Sequence, residues 1–204
     1  MPFLKTGKMI HCESSIERDY VRIADYDPNI LEIIHQPLAI PYLYKHRKRD
    51  YYPDFKVLTK DGLVRIVEIK PTSKIKKPEN EIKFLVGRLY CEKMGWNYCV
   101  VTDVQLRQGY LQRNLSLLRA LADQHIPIQK LKYVLQMLRD SGDCTIEMLR
   151  ENCNNLNSEE FYKAIYSLIY YKKVYVNLIS DKLTDISIVS CGRTEEEYQW
   201  REYH

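Results

Sequence analysis

The sequence predicts an α/β domain around one mixed sheet, followed by a smaller, mainly helical domain. In the first hundred residues, segments of helical and strand-like periodicity come in the order helix, several strands, helix, strand. Beyond residue 105, leucines at helical spacing dominate until two alternating segments near the C-terminus. The predicted domains therefore cover residues 1–104 and 105–204.

The composition excludes several classes of protein. Of 204 residues, 45% are hydrophobic and 28% charged, which is ordinary for a globular chain and excludes a disordered one. No apolar run of 18 residues exists and the first residues lack the apolar segment of a signal peptide, so neither a membrane helix nor secretion is expected. The six cysteines form no CxxC pair, which argues against structural zinc or a disulfide scaffold. We therefore expect a cytoplasmic protein with reduced thiols and no membrane partner.

The elements of the first domain follow from caps and turns. Ser14 or Ser15 can cap a helix that Asp27-Pro28-Asn29 ends. Strands are predicted at 30–35, 37–44, 55–59, 63–69 and 98–101. Asp61-Gly62 predicts a hairpin turn, and a second helix should begin at Pro78 and end at Gly95.

The second domain is predicted from leucine spacing. Helices are expected at 110–124, from Pro127 onward, at 145–153 and at 158–171, with strands at 174–180 and 185–190 joined near Asp181-Lys182. Helices that end in a strand hairpin resemble a winged helix. Residues 104–204 hold 13 basic and 13 acidic side chains, so a protein partner is favoured over DNA for this domain.

The excess positive charge lies in the first half. Residues 1–103 hold 18 basic and 14 acidic side chains, and residues 42–88 alone hold 13 against 6. Candidate phosphate contacts are Lys45, Arg47, Lys48 and Arg49 before Asp54, and Lys74, Lys76 and Lys77 after the strand 63–69. A solvated hairpin tip is the alternative interpretation of the first group.

One group of acidic and basic side chains predicts a catalytic site. Glu68 and Lys70 point to the same side of a strand because side chains alternate, and Asp54 begins the neighbouring strand across the hairpin. Glu17 on the preceding helix is a further carboxylate. Carboxylates that hold Mg²⁺ next to a lysine are typical of phosphodiester hydrolysis. The alternative is an exposed cross-strand ion pair with Asp54 as a turn residue.

Short motifs give a more specific indication. The chain carries Ser14-Ser15-Ile16-Glu17-Arg18-Asp19-Tyr20, Tyr26-Asp27-Pro28-Asn29-Ile30, His35-Gln36-Pro37, Tyr51-Tyr52-Pro53-Asp54-Phe55, Val67-Glu68-Ile69-Lys70-Pro71, Gly95-Trp96 and Val101-Thr102-Asp103. In this order and spacing they resemble the TnsA endonuclease family of heteromeric transposases over about residues 13–120. Arg113-Asn114-Leu115 fits the helix that follows.

The resemblance implies a restriction-endonuclease-like fold that cuts the 5′ strand at transposon ends, beside a TnsB-like transposase that acts on the 3′ ends. It implies that Glu17, Asp54 and Glu68 bind Mg²⁺, for which Mn²⁺ should substitute. The backbone carbonyl of Ile69 would be a further ligand, and Lys70 would be the catalytic lysine. The C-terminal domain would dock on a TnsC-like AAA+ ATPase. Double-stranded DNA at transposon ends is the implied substrate.

Two other functions stay open from the sequence. The first is a stand-alone nuclease of the restriction or repair type, which would cut DNA without a transposase. The second is a non-catalytic DNA-bridging or targeting module with a relic site. The complete set of Glu17, Asp54, Glu68 and Lys70 argues against the second, because clustered carboxylates repel one another without a cation.

Overall fold

The computed structural model describes residues 1–122 and 125–191. The chain divides into two compact units between Gln108 and Gly109. The predicted boundary at residues 104 and 105 lies close to this division. In the described ranges, no helix is both long and apolar enough to cross a membrane.

The first unit contains β1 (Pro2–Phe3), β2 (Lys8–Met9), α1 (Ser15–Tyr26), β3 (Ile30–His35), β4 (Ile40–Tyr44), β5 (Arg47–Tyr51), β6 (Phe55–Thr59), β7 (Val64–Lys70), a short 3₁₀ helix (Thr72–Lys74), α2 (Pro78–Met94), β8 (Asn97–Thr102) and α3 (Asp103–Leu106). Four strands form the central sheet in the order β3-β6-β7-β8. The pairs β3–β6 and β6–β7 are antiparallel, and β7–β8 is parallel. The predicted mixed sheet flanked by helices is confirmed.

Helix α1 begins as its sequence predicts. The side-chain oxygen of Ser14 accepts a hydrogen bond from the backbone N–H of Glu17 at 3.2 Å, which satisfies one of the free amide groups of the first turn. The helix packs against β3 and β7 through a buried face that includes Tyr20, Val21 and Ala24. Glu17 is therefore carried on the helix that packs on β7.

Helix α2 also has the predicted bounds, and Gly95 ends it in the left-handed conformation with φ of 68°. Its buried face is formed by Phe84, Gly87 and Cys91, whereas Leu85 and Leu89 are exposed. The apolar periodicity that predicts the helix therefore does not identify the face that packs on the sheet.

The segment 37–51 differs from its prediction. The expected strand over 37–44 begins only at Ile40, and the charged run Arg47–Tyr51 forms a second strand that pairs antiparallel with it. Lys45 and His46 have φ of 49° and 60°, the conformation of a two-residue turn in which both residues are left-handed. We call β4, β5 and this turn the basic hairpin.

Burial of thiols predicts a loss of stability at alkaline pH. Burial raises the pKa of Cys91 from 9.0 to about 11, so the folded chain keeps a proton that the unfolded chain loses. Above pH 9 the free energy of unfolding should therefore fall by about 1 kcal/mol per pH unit for this group until its folded pKa is reached. Urea unfolding at pH 8, 9 and 10 measures the slope, which should be shallower in Cys91→Ala; an equal slope in both proteins would contradict the assignment.

The second unit contains α4 (Leu111–Ala122), α5 (Ile128–Ser141), β9 (Cys144–Thr145), α6 (Ile146–Asn152), α7 (Ser158–Tyr170), β10 (Val174–Tyr175) and β11 (Ile188–Cys191). The four predicted helices are confirmed, although the predicted end of the first at residue 124 lies outside the described residues. The strands form a three-stranded antiparallel sheet in the order β10-β11-β9. Helices α5 and α4 both pack on α7.

The strands predicted at 174–180 and 185–190 are shorter than expected because a side chain binds the backbone between them. The buried amide of Asn114 donates to the carbonyl oxygens of Leu178 at 2.9 Å and Asp181 at 2.8 Å, and accepts from the N–H of Leu183 at 2.9 Å. Gly109, with φ of 46°, lies very close to the backbone of Ile179: a Cβ atom on Gly109 would be 2.1 Å from the carbonyl oxygen of Ile179. The segment 176–187 is thus fixed on the start of α4 rather than paired as a strand.

Candidate active site

Asp54, Glu68 and Lys70 meet where β6 begins and β7 ends. Phe55 pairs with Val67 across these strands, which places Asp54 next to Glu68. The Nζ of Lys70 lies 2.6 Å from Oε1 of Glu68 and 3.9 Å from Oδ2 of Asp54. The predicted alternation along the strand therefore brings the ammonium group and both carboxylates together.

The electrostatics of this group are dominated by burial. Burial raises the pKa of Asp54 to about 7; the charge of Glu68 adds to this increase, while Lys70 and the N–H of Ile69 oppose it. That N–H donates to Oδ2 of Asp54 at 2.6 Å. Burial alone would lower the pKa of Lys70, but the charges of Glu68 and Asp54 outweigh it and the pKa is raised. The carboxylates therefore favour a cation beside them.

Two tyrosines complete the surroundings of Glu68. The hydroxyl of Tyr51 donates to Oε2 of Glu68 at 2.7 Å and lies 2.9 Å from the hydroxyl of Tyr98. Glu68 itself is 1% exposed, and both of its carboxylate oxygens are bonded to protein groups, one to Tyr51 and the other to Lys70. Such double anchoring fixes the orientation of a buried carboxylate.

The carboxylate of Glu17 is hydrogen-bonded at the start of α1 and, among the described residues, not to Asp54, Glu68 or Lys70. Its carboxylate accepts from the hydroxyl of Ser14 and from the N–H of Glu13, both at 2.7 Å. Its charge nevertheless contributes to the raised pKa values of Asp54 and Lys70, so it is part of the same electrostatic environment. Its role as a metal ligand stays a prediction.

The donor set fits a hard divalent cation with few protein ligands. Within residues 1–122 and 125–191, no group of three or more His, Cys, Asp or Glu side chains is arranged to hold a metal ion. Mg²⁺ commonly uses only one or two carboxylates and completes its coordination with water and phosphate oxygens. The carboxylates of Asp54 and Glu68, with the carbonyl of Ile69 between Glu68 and Lys70, meet that lower requirement.

The loop before Asp54 is fixed by Gln36. Its N–H donates to the carbonyl of Asp54 at 2.9 Å, and its side-chain amide donates to the carboxylate of Glu13 at 2.9 Å. Gln36 has φ of 42°, a left-handed conformation that is uncommon outside glycine. The Gln-Pro motif thus connects the segment before α1 with the start of β6, next to the carboxylates.

The predicted phosphate contacts lie on two separate features of the first unit. Lys45 is in the turn of the basic hairpin, and Arg47, Lys48 and Arg49 are exposed on β5. Lys74, Lys76 and Lys77 are exposed between β7 and α2. The carboxylates of Asp54 and Glu68 are contacted by the ammonium group of Lys70. The seven predicted phosphate contacts are therefore candidates for binding DNA and not for the chemical step.

The segment that carries the three lysines is held by side chains for which the sequence predicts no role. Asp103 accepts from the N–H of Thr72 at 2.8 Å and from its hydroxyl at 2.7 Å. The side-chain amide of Asn80 donates to the carbonyl of Lys74 at 2.7 Å. These bonds fix the chain immediately after Lys70.

The sequence predicts no role at the site for Tyr51, Tyr98 or Asp103, although Tyr51 and Asp103 lie in two of the quoted motifs. In the sequence, Tyr51 is one of four tyrosines near a basic run, and Tyr98 is one residue of a buried strand. Both hydroxyls reach the site through pairing of distant segments, which no local spacing encodes. The available signal is the motif Tyr-Tyr-Pro-Asp-Phe, in which the first tyrosine precedes Asp54 by three positions.

Comparison with protein families gives a match within the first unit. A family model described as TnsA-like endonuclease N terminal matches residues 27–103, which include Asp54, Glu68 and Lys70. A search of curated proteins gave no match. The match confirms the resemblance that the motifs indicate over this segment. Residues 27–103 of the first unit therefore match the TnsA-like endonuclease N-terminal domain.

Proposed function

We propose that the chain is a Mg²⁺-dependent DNA endonuclease that cuts the 5′ strand at transposon ends. It would act as the TnsA-like subunit of a heteromeric transposase. The observation that carries this proposal is the cluster of Asp54, Glu68 and Lys70 inside the segment that matches the TnsA-like endonuclease domain. Clustered carboxylates beside one lysine have a clear use in phosphodiester cleavage and no structural necessity.

Each residue of the cluster has a distinct role in this proposal. Asp54, Glu68 and the carbonyl of Ile69 would hold Mg²⁺, with Glu17 as a further ligand. When bound, the metal would supply charge stabilisation of the phosphate and an acidified water. Lys70, which stays protonated because of the two carboxylates, would orient the attacking water or offset negative charge on the phosphate.

The exposed basic residues would bind the DNA backbone. Replacement of Arg47, Lys48 and Arg49 by serine should weaken binding to any duplex, because each side chain would neutralise a phosphate. The slope of log Kd against log salt should fall by about one for each phosphate that the variant no longer binds. Fluorescence anisotropy with a labelled duplex at several salt concentrations, without divalent metal, measures both quantities.

The matched control is the triple replacement of Lys60, Arg88 and Lys93 by serine. These residues are also exposed, and their removal changes the net charge equally. The control should keep the wild-type salt dependence apart from a small general effect of charge. Equal effects of the two triple substitutions would show that the basic hairpin makes no specific phosphate contacts.

The second unit would be the partner-binding part. Its two helices, short strand, two further helices and two strands, with a three-stranded antiparallel sheet, support a winged-helix-like domain. Residues 104–204 have no net charge, which favours a protein surface over a DNA backbone. We propose that this unit docks on a TnsC-like AAA+ ATPase.

A strand-mapped cleavage assay tests the proposal. A transposon-end duplex labelled on either strand is incubated with Mg²⁺ or Mn²⁺, with and without a TnsB-like transposase. We expect 5′-strand cuts that need the partner and are abolished in Asp54→Ala. Cuts without the partner would instead favour a stand-alone nuclease. Absence of both cleavage and metal binding would leave a non-catalytic DNA-bridging module.

A further inference from the structure

We propose that Tyr51 is a positioning residue for the cleavage reaction, which holds Glu68 in the orientation needed to bind the metal. This inference rests on the proposed function, because it assigns Tyr51 a role only if Glu68 is a ligand. The geometry that carries it is a hydrogen bond of 2.7 Å from a buried hydroxyl to a buried carboxylate.

The hydrogen bond from Tyr51 helps to set the orientation in which the carboxylate of Glu68 is presented to a metal ion. Tyr51 and Glu68 are each 1% exposed, so water cannot readily replace the bond if the hydroxyl is removed. Lys70 binds Oε1 and Tyr51 binds Oε2, and together they define the rotation of the carboxylate. Without the hydroxyl, Glu68 would be held from one side only, by a lysine whose own partners include Asp54.

A further set of contacts supports Tyr51. Its hydroxyl lies 2.9 Å from the hydroxyl of Tyr98 on β8. The ring of Tyr98 lies against Gly87 of α2, where an added Cβ would be 2.3 Å from the ring carbon Cε2. Gly87 therefore leaves the space that this ring fills, and a chain of contacts leads from α2 through Tyr98 and Tyr51 to Glu68.

Tyr51 also belongs to the basic hairpin. It is the last residue of β5, where it pairs with Ile40 at the base, while Arg47, Lys48 and Arg49 occupy exposed positions of the same strand. The strand β5, which we propose to bind DNA phosphates, thus ends at Tyr51, whose hydroxyl orients Glu68. Residues that orient a ligand from outside the coordination shell typically change metal affinity by about 10- to 100-fold.

The test is calorimetric titration of the full chain with Mn²⁺, comparing wild type with Tyr51→Phe. We expect the Kd for Mn²⁺ to rise about tenfold in Tyr51→Phe. Binding of DNA without divalent metal should be unchanged, since the basic residues remain. In the cleavage assay, the Mn²⁺ concentration for half-maximal rate should rise in parallel, and saturating Mn²⁺ should restore most of the rate.

Tyr20→Phe is the matched control. It removes another hydroxyl of a buried tyrosine from the first unit, on α1, where the ring stacks on Phe55. Its Mn²⁺ affinity should equal that of the wild type. If Tyr51→Phe binds Mn²⁺ within about twofold of wild type, well short of the expected change, the positioning role is overturned while the proposed function stands. If the wild type binds no Mn²⁺, the proposed function fails and this inference fails with it.

Discussion

Replacement of Lys70 by methionine should lower the rate constant of DNA cleavage by about 10²–10³-fold, the usual effect of removing one group that stabilises charge in a transition state. Methionine keeps much of the length and apolar character of the side chain but removes the ammonium 2.6 Å from Glu68. Single-turnover cleavage of a labelled duplex, with the transposase partner present, measures the change.

The same substitution should have an opposite effect on metal binding. Without the ammonium, the carboxylates of Glu68 and Asp54 lose the cation that both contact, so the metal-free chain should lose about 3 kcal/mol of stability. Added Mn²⁺ should then raise the melting temperature of Lys70→Met more than that of the wild type. Asp54→Asn should also lose cleavage, but Mn²⁺ should no longer raise its melting temperature, because a carboxylate that binds the metal is gone.

An exposed lysine provides the comparison for Lys70. Lys60→Met removes a charge just after the far end of β6, away from Asp54 at its beginning. It should cleave at the wild-type rate. Wild-type cleavage by Lys70→Met would contradict the role of the cluster and leave the pairing of Lys70 with Glu68 as a structural ion pair.

Replacement of Asn114 by leucine should lower the free energy of unfolding of the second unit by about 3–5 kcal/mol. The substitution keeps a side chain of similar size but removes all three hydrogen bonds to the segment 176–187. It leaves the carbonyls of Leu178 and Asp181 and the N–H of Leu183 without this partner. Hydrogen–deuterium exchange with mass spectrometry should show faster exchange in residues 109–122 and 174–191.

Two comparisons separate this effect from a general loss of folding. Peptides from residues 1–108 should keep their wild-type exchange, because Asn114 and its three partners all lie in the second unit. Asn155→Leu changes an exposed asparagine and should leave exchange unaltered. Unchanged exchange of residues 174–191 in Asn114→Leu would show that the amide does not hold this segment.

The hairpin of β6 and β7 and the cluster of side chains on it could be predicted because neighbouring residues of the sequence determine both. Asp61-Gly62 sets the hairpin register, and side-chain alternation then places Glu68 and Lys70 on one side of β7. Asp54 follows from the same hairpin. Spacing within about fifteen residues is therefore sufficient to bring three functional side chains together.

The missed features depend on contacts that are distant in the sequence. Strand β5 consists mostly of charged residues and resembles a loop by composition; it is a strand because its backbone pairs with β4 around a left-handed turn. The bonds of Tyr51 to Glu68 and Tyr98 span 17 and 47 positions. Asn114 reaches partners 64 to 69 positions away and so shortens the strands that alternation predicts.

The central claim is that Asp54 and Glu68 form a metal site, rather than a carboxylate pair neutralised by Lys70 alone. Anomalous scattering from a crystal soaked in Mn²⁺ tests this most directly. We predict an anomalous peak beside the carboxylates of Asp54 and Glu68 that is missing in crystals of Asp54→Asn. A fully occupied Mn²⁺ elsewhere in the protein, with no peak at these carboxylates, would contradict the claim.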